Sequence, residues 1–504
     1  MMAVSLLGLD VGTTGCKAVV FDETGHILGQ GYREYPLVYP QPGWIELDSN
    51  RVWESLVAAV RQAVSEVREP VETLSVACQG EACTPVSADG TVLHRAIVTF
   101  DNRTAETASQ WETVLGRERL LRISGQPYHP MGTLFKILWI KRHLPDLFQR
   151  TWKFLCYGDF VLHRLGVGPA IDYSMASRTM AFDIRSKRWS AEILSAVDLS
   201  PSLLAEPAPA GTLLGPISSE ASHELGLPKG VKAVVGGHDQ TCGALGAGVV
   251  EGGQGLYATG TVECITIALT EFADGLGTRG YSCYPHVVPD LFVTLAFNFT
   301  GGALLRWYRD TFGFEERQEA ERSGRDVYDL ILADLPPGPV DVFVLPHFTA
   351  TGTPWLDPMA KGAIVGLTLA TTKKDIVRAI LEGITYEMAL NLEYLTEAGV
   401  EVGELRAVGG GARSSLWLQL KADLLGKRIV RTNITEAVCL GAAILAGWGT
   451  GVYASPLAGA QAAVRVGDTF TPDPILHRRY REKLATYERI YPAVKQIAAN
   501  APQS

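Results

Sequence analysis

The stretch LLGLDVGTTGCKAVVFD, Leu6 to Asp22, sets Asp10, Gly12, Thr13, Thr14, Gly15 and Lys17 between two apolar runs. An acid at the end of a buried strand costs free energy unless hydrogen bonds or a cation compensate it. A hard cation such as Mg2+, which takes oxygen ligands, is one such partner. Gly12 and Gly15 let backbone amides approach a ligand, Thr13 and Thr14 add hydroxyls, and Lys17 adds charge. The set suits a metal-bound polyphosphate. It equally suits a hairpin whose Asp10 caps its own turn.

A second candidate is Asp239 in GGHDQ, which follows the apolar run Lys232–Gly237 and should emerge at a strand end. Phosphorylation of an alcohol needs a base for the hydroxyl proton, and Asp is a common choice. A carboxylate hydrogen-bonded within a glycine turn is the plainer reading, and His238 beside it reads more readily as structural than catalytic. Sugar hydroxyls call for planar hydrogen-bonding groups. CQGEAC (Cys78–Cys83) offers Gln79 and Glu81, and TFDNRT (Thr99–Thr104) offers Asp101 and Arg103, each of which could instead sit in a turn or a surface ion pair. No G-x-x-x-x-G-K-[ST] loop is present, so any ATP would be held by paired hairpins. VGGGARSSLWLQLKADLLG (Val408–Gly426) adds a glycine turn leading into a helix, which can lie flat on a ligand or cradle phosphate. It lacks a complete G-x-G-x-x-G, which disfavours hydride transfer.

These residues need elements to hold them. Leu6–Leu9 and Ala18–Phe21 read as buried strands joined by a turn over Asp10–Lys17. TLSVAC (Thr73–Cys78), KAVVGG (Lys232–Gly237) and VDVFVLP (Val340–Pro346) read as further strands. Val52–Val67, Asp375–Tyr394 and Ser414–Leu425 carry apolar residues at three- and four-residue spacing and read as helices, giving an α/β architecture. After the glycine-dense Gly236–Gly253, the segment Gln254–Leu269 repeats the opening pattern: strand, Thr259-Gly260-Thr261 turn, strand. Unless two hairpins resemble each other by chance, the fold is duplicated and holds a nucleotide between its halves. The tail, Asp473–Ala498, reads as one amphipathic helix with spaced tyrosines.

At 504 residues the chain exceeds one ordinary core, and two domains of similar size are expected. Its 47% hydrophobic and 20% charged content is that of a soluble globular protein, and a net charge of −9 disfavours a nucleic-acid surface in favour of a small substrate. Eight scattered cysteines without a C-x-x-C pair fit reduced thiols. The start passes directly into a strand with no basic, cleavable segment, and no uncharged apolar run is long enough to span a bilayer. A cytoplasmic protein with no membrane partner is the expectation.

With these parts in place, the chain resembles the FGGY carbohydrate kinase family along essentially its whole length. MGTLFKILWIKRH (Met131–His143) matches the first family signature and GAIVGLTLATTKKDIVRAILE (Gly362–Glu382) the second. The resemblance implies the actin/hexokinase-like ATPase fold: two duplicated ribonuclease H-like α/β domains, residues 1–246 and 247–504, with an interdomain catalytic cleft. It implies ATP and Mg2+, with Asp10 as the metal-associated carboxylate. Gly12, Thr13, Thr14 and Lys17 would meet the phosphates with Thr259, Gly260 and Thr261, and Gly302, Gly410, Gly411 and Ala412 would line the nucleotide. Asp239 matches the catalytic base, and Gln79, Glu81, Asp101, Arg103, Asp239 and Gln240 are the substrate-binding candidates. Family analogy adds a homodimer.

Subfamily features are mixed. QGE at Gln79–Glu81 and DQ at Asp239–Gln240 are similar to glycerol kinase patterns, yet Met131 stands where those enzymes usually carry Tyr and Gly80 where they carry Arg. Xylulose kinases typically show Met-His where Glu81 and Ala82 stand, and ATGTP (Ala350–Pro354) replaces the common G-E-R-T-P, losing an arginine. IDYSMASRT (Ile171–Thr179) matches family scaffold and says little about substrate. The expected reaction is ATP-dependent phosphorylation of a xylulose-like ketopentose or related sugar or sugar alcohol. A glycerol or other polyol kinase is the alternative. A catalytically silent sugar sensor should have lost Asp10 or Asp239, and an actin-like filament protein should lack both signatures.

Overall fold

The computed structural model describes residues 4–65 and 67–499. The opening apolar runs form β1 (Ser5–Val11) and β2 (Gly15–Phe21), paired antiparallel. Their ladder runs further than the sequence suggested: Asp10 pairs with Lys17 and Val11 with Cys16, leaving only Gly12–Thr14 as the turn. Opposite charges facing across the ladder favour this extension. The first sheet is completed by β3 (Ile27–Glu34), β4 (Val71–Cys78), β5 (Leu213–Pro216) and β6 (Lys232–His238), in the spatial order β5-β6-β4-β1-β2-β3.

A second sheet contains β7 (Gln254–Thr259), β8 (Glu263–Leu269), β9 (Tyr284–Pro285), β10 (Phe292–Asn298), β11 (Glu404–Val408), β12 (Arg428–Thr432) and β13 (Val466–Phe470). Its order is β9-β10-β8-β7-β11-β12-β13. Without the edge strands the two sheets are equivalent. In each, a meander of three antiparallel strands (β1-β2-β3, β7-β8-β10) is followed by two strands parallel to the first (β4 and β6, β11 and β12). The duplication seen in the two Gly/Thr turns therefore extends through the sheets, as a two-domain, actin-like α/β fold with two mixed sheets. VDVFVLP contributes a shorter strand than expected, Phe343–Leu345, paired with Ala363–Val365 outside both sheets.

The helices that matter here are α1 (Ser49–Ser65), α2 (Thr133–His143), α3 (Tyr173–Arg178), α4 (Asp239–Gly246), α5 (Gly302–Thr311), α6 (Lys373–Glu397), α7 (Ser415–Leu425) and α8 (Ala437–Gly449). In α1, Val52, Trp53, Leu56, Ala59, Val60 and Ala63 are buried at helical spacing; Glu66, within the expected Val52–Val67 helix, lies outside the described residues. α6 begins at a capping box, the Thr372 side chain accepting from Asp375 N while the Asp375 carboxylate accepts from Thr372 N.

Two helices bind the halves together. α4 leaves the first sheet after β6, and its Ala244 shares a core with Leu256, Ala268 and Val408 of the second sheet. α8 follows β12 of the second sheet, and its Cys439, Leu440, Ala443 and Ile444 share a core with Leu6, Val19, Phe21 and Ala77 of the first. The two helices cross at backbone contact: a Cβ on Gly441 would lie 1.8 Å from the Cys242 carbonyl oxygen, and one on Gly246 1.8 Å from that of Ala437. Only glycine permits this approach.

The tail is two helices, Pro474–Tyr487 and Ile490–Ala499, not one. Pro492 explains the break, because its ring would clash with the carbonyl of residue 488 in a continuous helix. Among the described residues no helix is long and apolar enough to cross a membrane. All eight cysteines are buried free thiols.

Candidate active site

The parallel strands β6, β4 and β1 end together. Asp10 lies level with Ala77 and Gly237, and Val11 with Cys78 and His238, so Gln79 and Asp239 follow directly beyond the same edge. Carboxyl ends of parallel strands are where α/β folds gather ligands. Asp239 is the first residue of α4, and burial, reinforced by the Asp10 charge, pushes its carboxyl up to about 7, against the Gln240 backbone N–H and the Arg178 guanidinium. Burial likewise pushes Asp10 up to about 6, with Lys17 opposing and Glu436 adding to the effect. Oδ1 of Asp10 is buried with no hydrogen-bond partner among the described residues. An orphaned carboxylate oxygen beside a Gly/Thr turn fits a Mg2+ ligand. Among the described residues no three His, Cys, Asp or Glu side chains cluster as a metal cage.

The first turn is held from below. Gln79 Nε2 donates to the Gly12 carbonyl (3.0 Å), Thr13 Oγ1 donates to Gln79 Oε1 (2.8 Å), and Tyr35 Oη donates to the same Gly12 carbonyl (2.6 Å). Thr14 is exposed at the tip. Lys17 Nζ reaches Glu436 Oε2 at 2.6 Å, linking β2 to the residue that precedes α8.

The second turn is stapled to α5. Gly302 N donates to Gly260 O (2.8 Å), and Gly301 N and Ala303 N donate to Thr261 O (2.9 and 3.2 Å). Gly260 and Thr261 are exposed, but the Thr259 side chain points into the core. There Lys421 Nζ donates to Thr259 Oγ1 and to both oxygens of Glu263, at 3.2 and 3.0 Å, and lies 3.8 Å from the Tyr257 ring centroid. This buried pair under the turn escaped the sequence reading, because a lysine on an apolar helix and a glutamate at a strand start give no signal of being partners. Gly411 rests on Thr259, Gly410 faces open space, and Ala412 is buried with its carbonyl accepting from Arg431 Nε at 3.0 Å. Ala258 pairs with Val408, so the second turn and the Gly409–Gly411 turn are neighbours on one edge of the second sheet.

The sugar-binding candidates divide. Glu81 is buried in a left-handed conformation (φ 61°). Its carbonyl accepts from Thr133 Oγ1 and Lys136 Nζ, both at 2.9 Å, and its carboxylate accepts from Thr99 Oγ1 at 3.0 Å and pairs with Arg178. Arg178 also bonds Gln126 (3.1 Å), lies 3.9 Å from Met131 Sδ, and keeps its Nε buried with no partner among the described residues. The Ile171–Thr179 segment, expected to be uninformative scaffold, thus contributes a guanidinium beside Glu81. A Cβ on Gly80 would stand 3.3 Å from Arg178 Nε, so the guanidinium occupies the space next to residue 80.

Gln240 meets Cys264 Sγ of β8 at 3.3 Å, joining the halves. Asp101 and Arg103 are committed to each other: Nε and Nη2 of Arg103 meet the two Asp101 oxygens at 2.9 and 2.8 Å, and Nη1 meets Glu46 at 2.9 Å. With the guanidinium 3.9 Å from the Trp44 ring centroid and Asp101 also accepting from Ile45 N, this is a buried network and not the surface ion pair that was the alternative reading. The geometry brings Asp10, Gln79, Glu81 and Asp239 together and adds Arg178. It gives Asp101 and Arg103 partners of their own.

The FGGY family of carbohydrate kinases matches the chain with both of its domains, the N-terminal domain over residues 5–246 and the C-terminal domain over residues 256–450. A xylulose kinase from Staphylococcus epidermidis is 28% identical over 506 residues, covering 99% of each chain. A glycerol kinase from Methylibium petroleiphilum is 32% identical over 522 residues, covering 98% of this chain and 99% of that one. The crystal structure of a xyloylose kinase from Brucella ovis matches with a TM-score of 0.86 at 26% identity, covering 98% of this chain and 100% of that one.

Proposed function

The chain belongs to the FGGY family of carbohydrate kinases, and from that premise we propose that it transfers the γ-phosphate of ATP to a hydroxyl of a xylulose-like ketopentose. The observation that carries the proposal is Asp239: a half-buried carboxylate with its pKa pushed up to about 7, at the same sheet edge as Asp10 and flanked by Glu81 and Arg178. An acid poised near neutral pH is matched to taking a proton from an alcohol.

Asp239 accepts the hydroxyl proton while the substrate oxygen bonds to the γ-phosphorus and the bond to the ADP oxygen breaks. Glu81 and the free Nε of Arg178 set an acceptor beside a donor, as adjacent hydroxyl and carbonyl groups of a ketose require. The Gly12–Thr14 and Gly260–Thr261 turns face the phosphates from the two halves, and Gly410 faces the nucleoside. We assign a Mg2+ accompanying ATP to Asp10; when bound, such an ion neutralises phosphate charge. Buried reduced thiols are in keeping with a cytoplasmic enzyme.

The similarity to a named glycerol kinase supports a second reading, a glycerol or other polyol kinase. The test is ADP release over pentuloses, hexuloses, pentitols, tetritols, glycerol and gluconate, with Asp239→Asn in parallel. Turnover of a pentulose that is lost in the variant supports the first reading, and turnover of glycerol or a pentitol alone supports the second. Binding of ATP and sugar without ADP release would overturn both.

A further inference from the structure

His238, the last residue of β6, is buried between two groups from different halves of the molecule. Its Nδ1 meets the hydroxyl of Tyr284, on β9 of the second sheet, at 3.1 Å, and its Nε2 stands 3.2 Å from Asp239 Oδ1. The backbone around the ring is fixed: His238 N donates to Ser174 Oγ at 2.9 Å and His238 O accepts from Thr241 Oγ1 at 2.8 Å. Residue 80 is glycine on the opposite side, where a Cβ would press to 3.1 Å from Nε2.

Burial, with the Arg178 guanidinium adding to it, holds the imidazole well below its usual range, so the ring is neutral and has one proton to place. Burial pushes Tyr284 up, so its hydroxyl keeps its proton and can donate to Nδ1. A donor at Nδ1 leaves the ring proton on Nε2, the nitrogen 3.2 Å from the carboxylate.

We propose that Tyr284 and His238 are positioning residues for the base: Tyr284 Oη–H holds His238 as its Nε2–H tautomer, and the positive Nε2–H end, 3.2 Å from Oδ1 of Asp239, favours that carboxylate oxygen's charge and leaves Oδ2 for the substrate proton. Because Tyr284 comes from the second sheet, the base is aligned only while the two halves hold this arrangement. The inference rests on the kinase reading for its consequence, though not for its test.

Asp239 also faces Asp10 from β1, Glu81 from the segment after β4, Arg178 from α3, and the thiols of Cys78, Cys242 and Cys264. None of these residues is altered in the variants His238→Leu, His238→Gln and Tyr284→Phe. The first measurement needs no sugar: the carboxyl carbon of Asp239 is titrated by 13C NMR in the full chain, its resonance identified by loss in Asp239→Asn. Removing this polar neighbour of a charged group should raise the midpoint by about one pH unit in His238→Leu and Tyr284→Phe, with recovery in His238→Gln, whose amide can replace Nε2–H. With the best sugar of the panel, kcat should fall about fivefold at neutral pH while the sugar KM stays within about twofold. Unchanged midpoints in folded variants overturn the proposal, and Tyr284→Phe, which removes one oxygen, decides if the His238 variants fail to fold. Absence of turnover with every sugar would instead remove the kinase reading and leave the titration result standing.

Discussion

Gln79 and Gly12 are joined by a 3.0 Å hydrogen bond from the Gln79 amide to the Gly12 carbonyl, and the other end of that amide accepts from Thr13 at 2.8 Å. The amide therefore spans the first Gly/Thr turn from beneath and has both its groups engaged before any sugar arrives. Gln79→Ala removes two hydrogen bonds worth about 0.5–1.5 kcal/mol each. The KM for ATP should rise roughly tenfold with little change in the sugar KM, read from initial rates with each substrate varied. A rise confined to the sugar KM would return Gln79 to the role expected from sequence.

Asp239 sets a pH dependence whose two signs differ. In the proposed role of base Asp239 works ionised, so kcat/KM should fall about tenfold per pH unit below about 7, while Asp239→Asn should be slower by about 10²–10⁴. For stability, the folded carboxyl holds its proton up to about 7 and the unfolded one releases it near 3.8. Its contribution is complete below pH 4 and is lost as pH rises through 7. Asp239→Asn should thus melt above wild type at pH 8, with the gap closing towards pH 4, measured by calorimetry across that range.

Lys421 and Glu263 make a separate prediction beneath the second turn. Burial pushes Glu263 up and Lys421 down, and each holds the other charged. Removing one partner of such a pair costs about 3–5 kcal/mol, whereas replacing both with apolar groups is often near neutral. Lys421→Met should lose stability by that amount and Lys421→Met/Glu263→Leu should regain most of it, measured by urea unfolding. Since Lys421 also supports Thr259, ATP binding should remain weakened in the double variant.

The sequence disclosed what repeats and what is punctuated by glycine. Both hairpins, the α/β alternation and the Asp239 strand end follow from apolar runs of strand length closed by Gly and Thr, and the observed ladders keep that order. What stayed hidden depends on partners far apart in the chain. Arg178 meets Glu81, Lys421 meets Glu263, and Arg103 meets Glu46 through packing that no local spacing records. The helix exchange is hidden for the same reason. A boundary at residue 246 is natural where a strand-helix unit ends, yet α4 and α8 each help to bury a core of the opposite half, through glycines whose role is visible only once a second backbone lies against them.

That crossing yields the last prediction. A methyl group on Gly441 would sit 1.8 Å from the Cys242 carbonyl oxygen, a backbone atom that no rotamer change can move. Overpacking of this kind costs about 1–3 kcal/mol or more, and here the relief must come from separating α4 from α8. Asp239 is the first residue of α4, and Glu436, which pairs with Lys17, precedes α8, so the separation displaces Asp239 and the first Gly/Thr turn together. Gly441→Ala should therefore lower both the melting temperature and kcat. Gly410→Ala is the control: nothing lies within 4 Å of its added carbon, so unfolding should change by no more than about 0.5 kcal/mol. If Gly410 faces the nucleoside, its KM for ATP rises without loss of stability. If Gly441→Ala instead melts like wild type, the two helices are free to slide, and the coupling between the crossing and the site is lost with it.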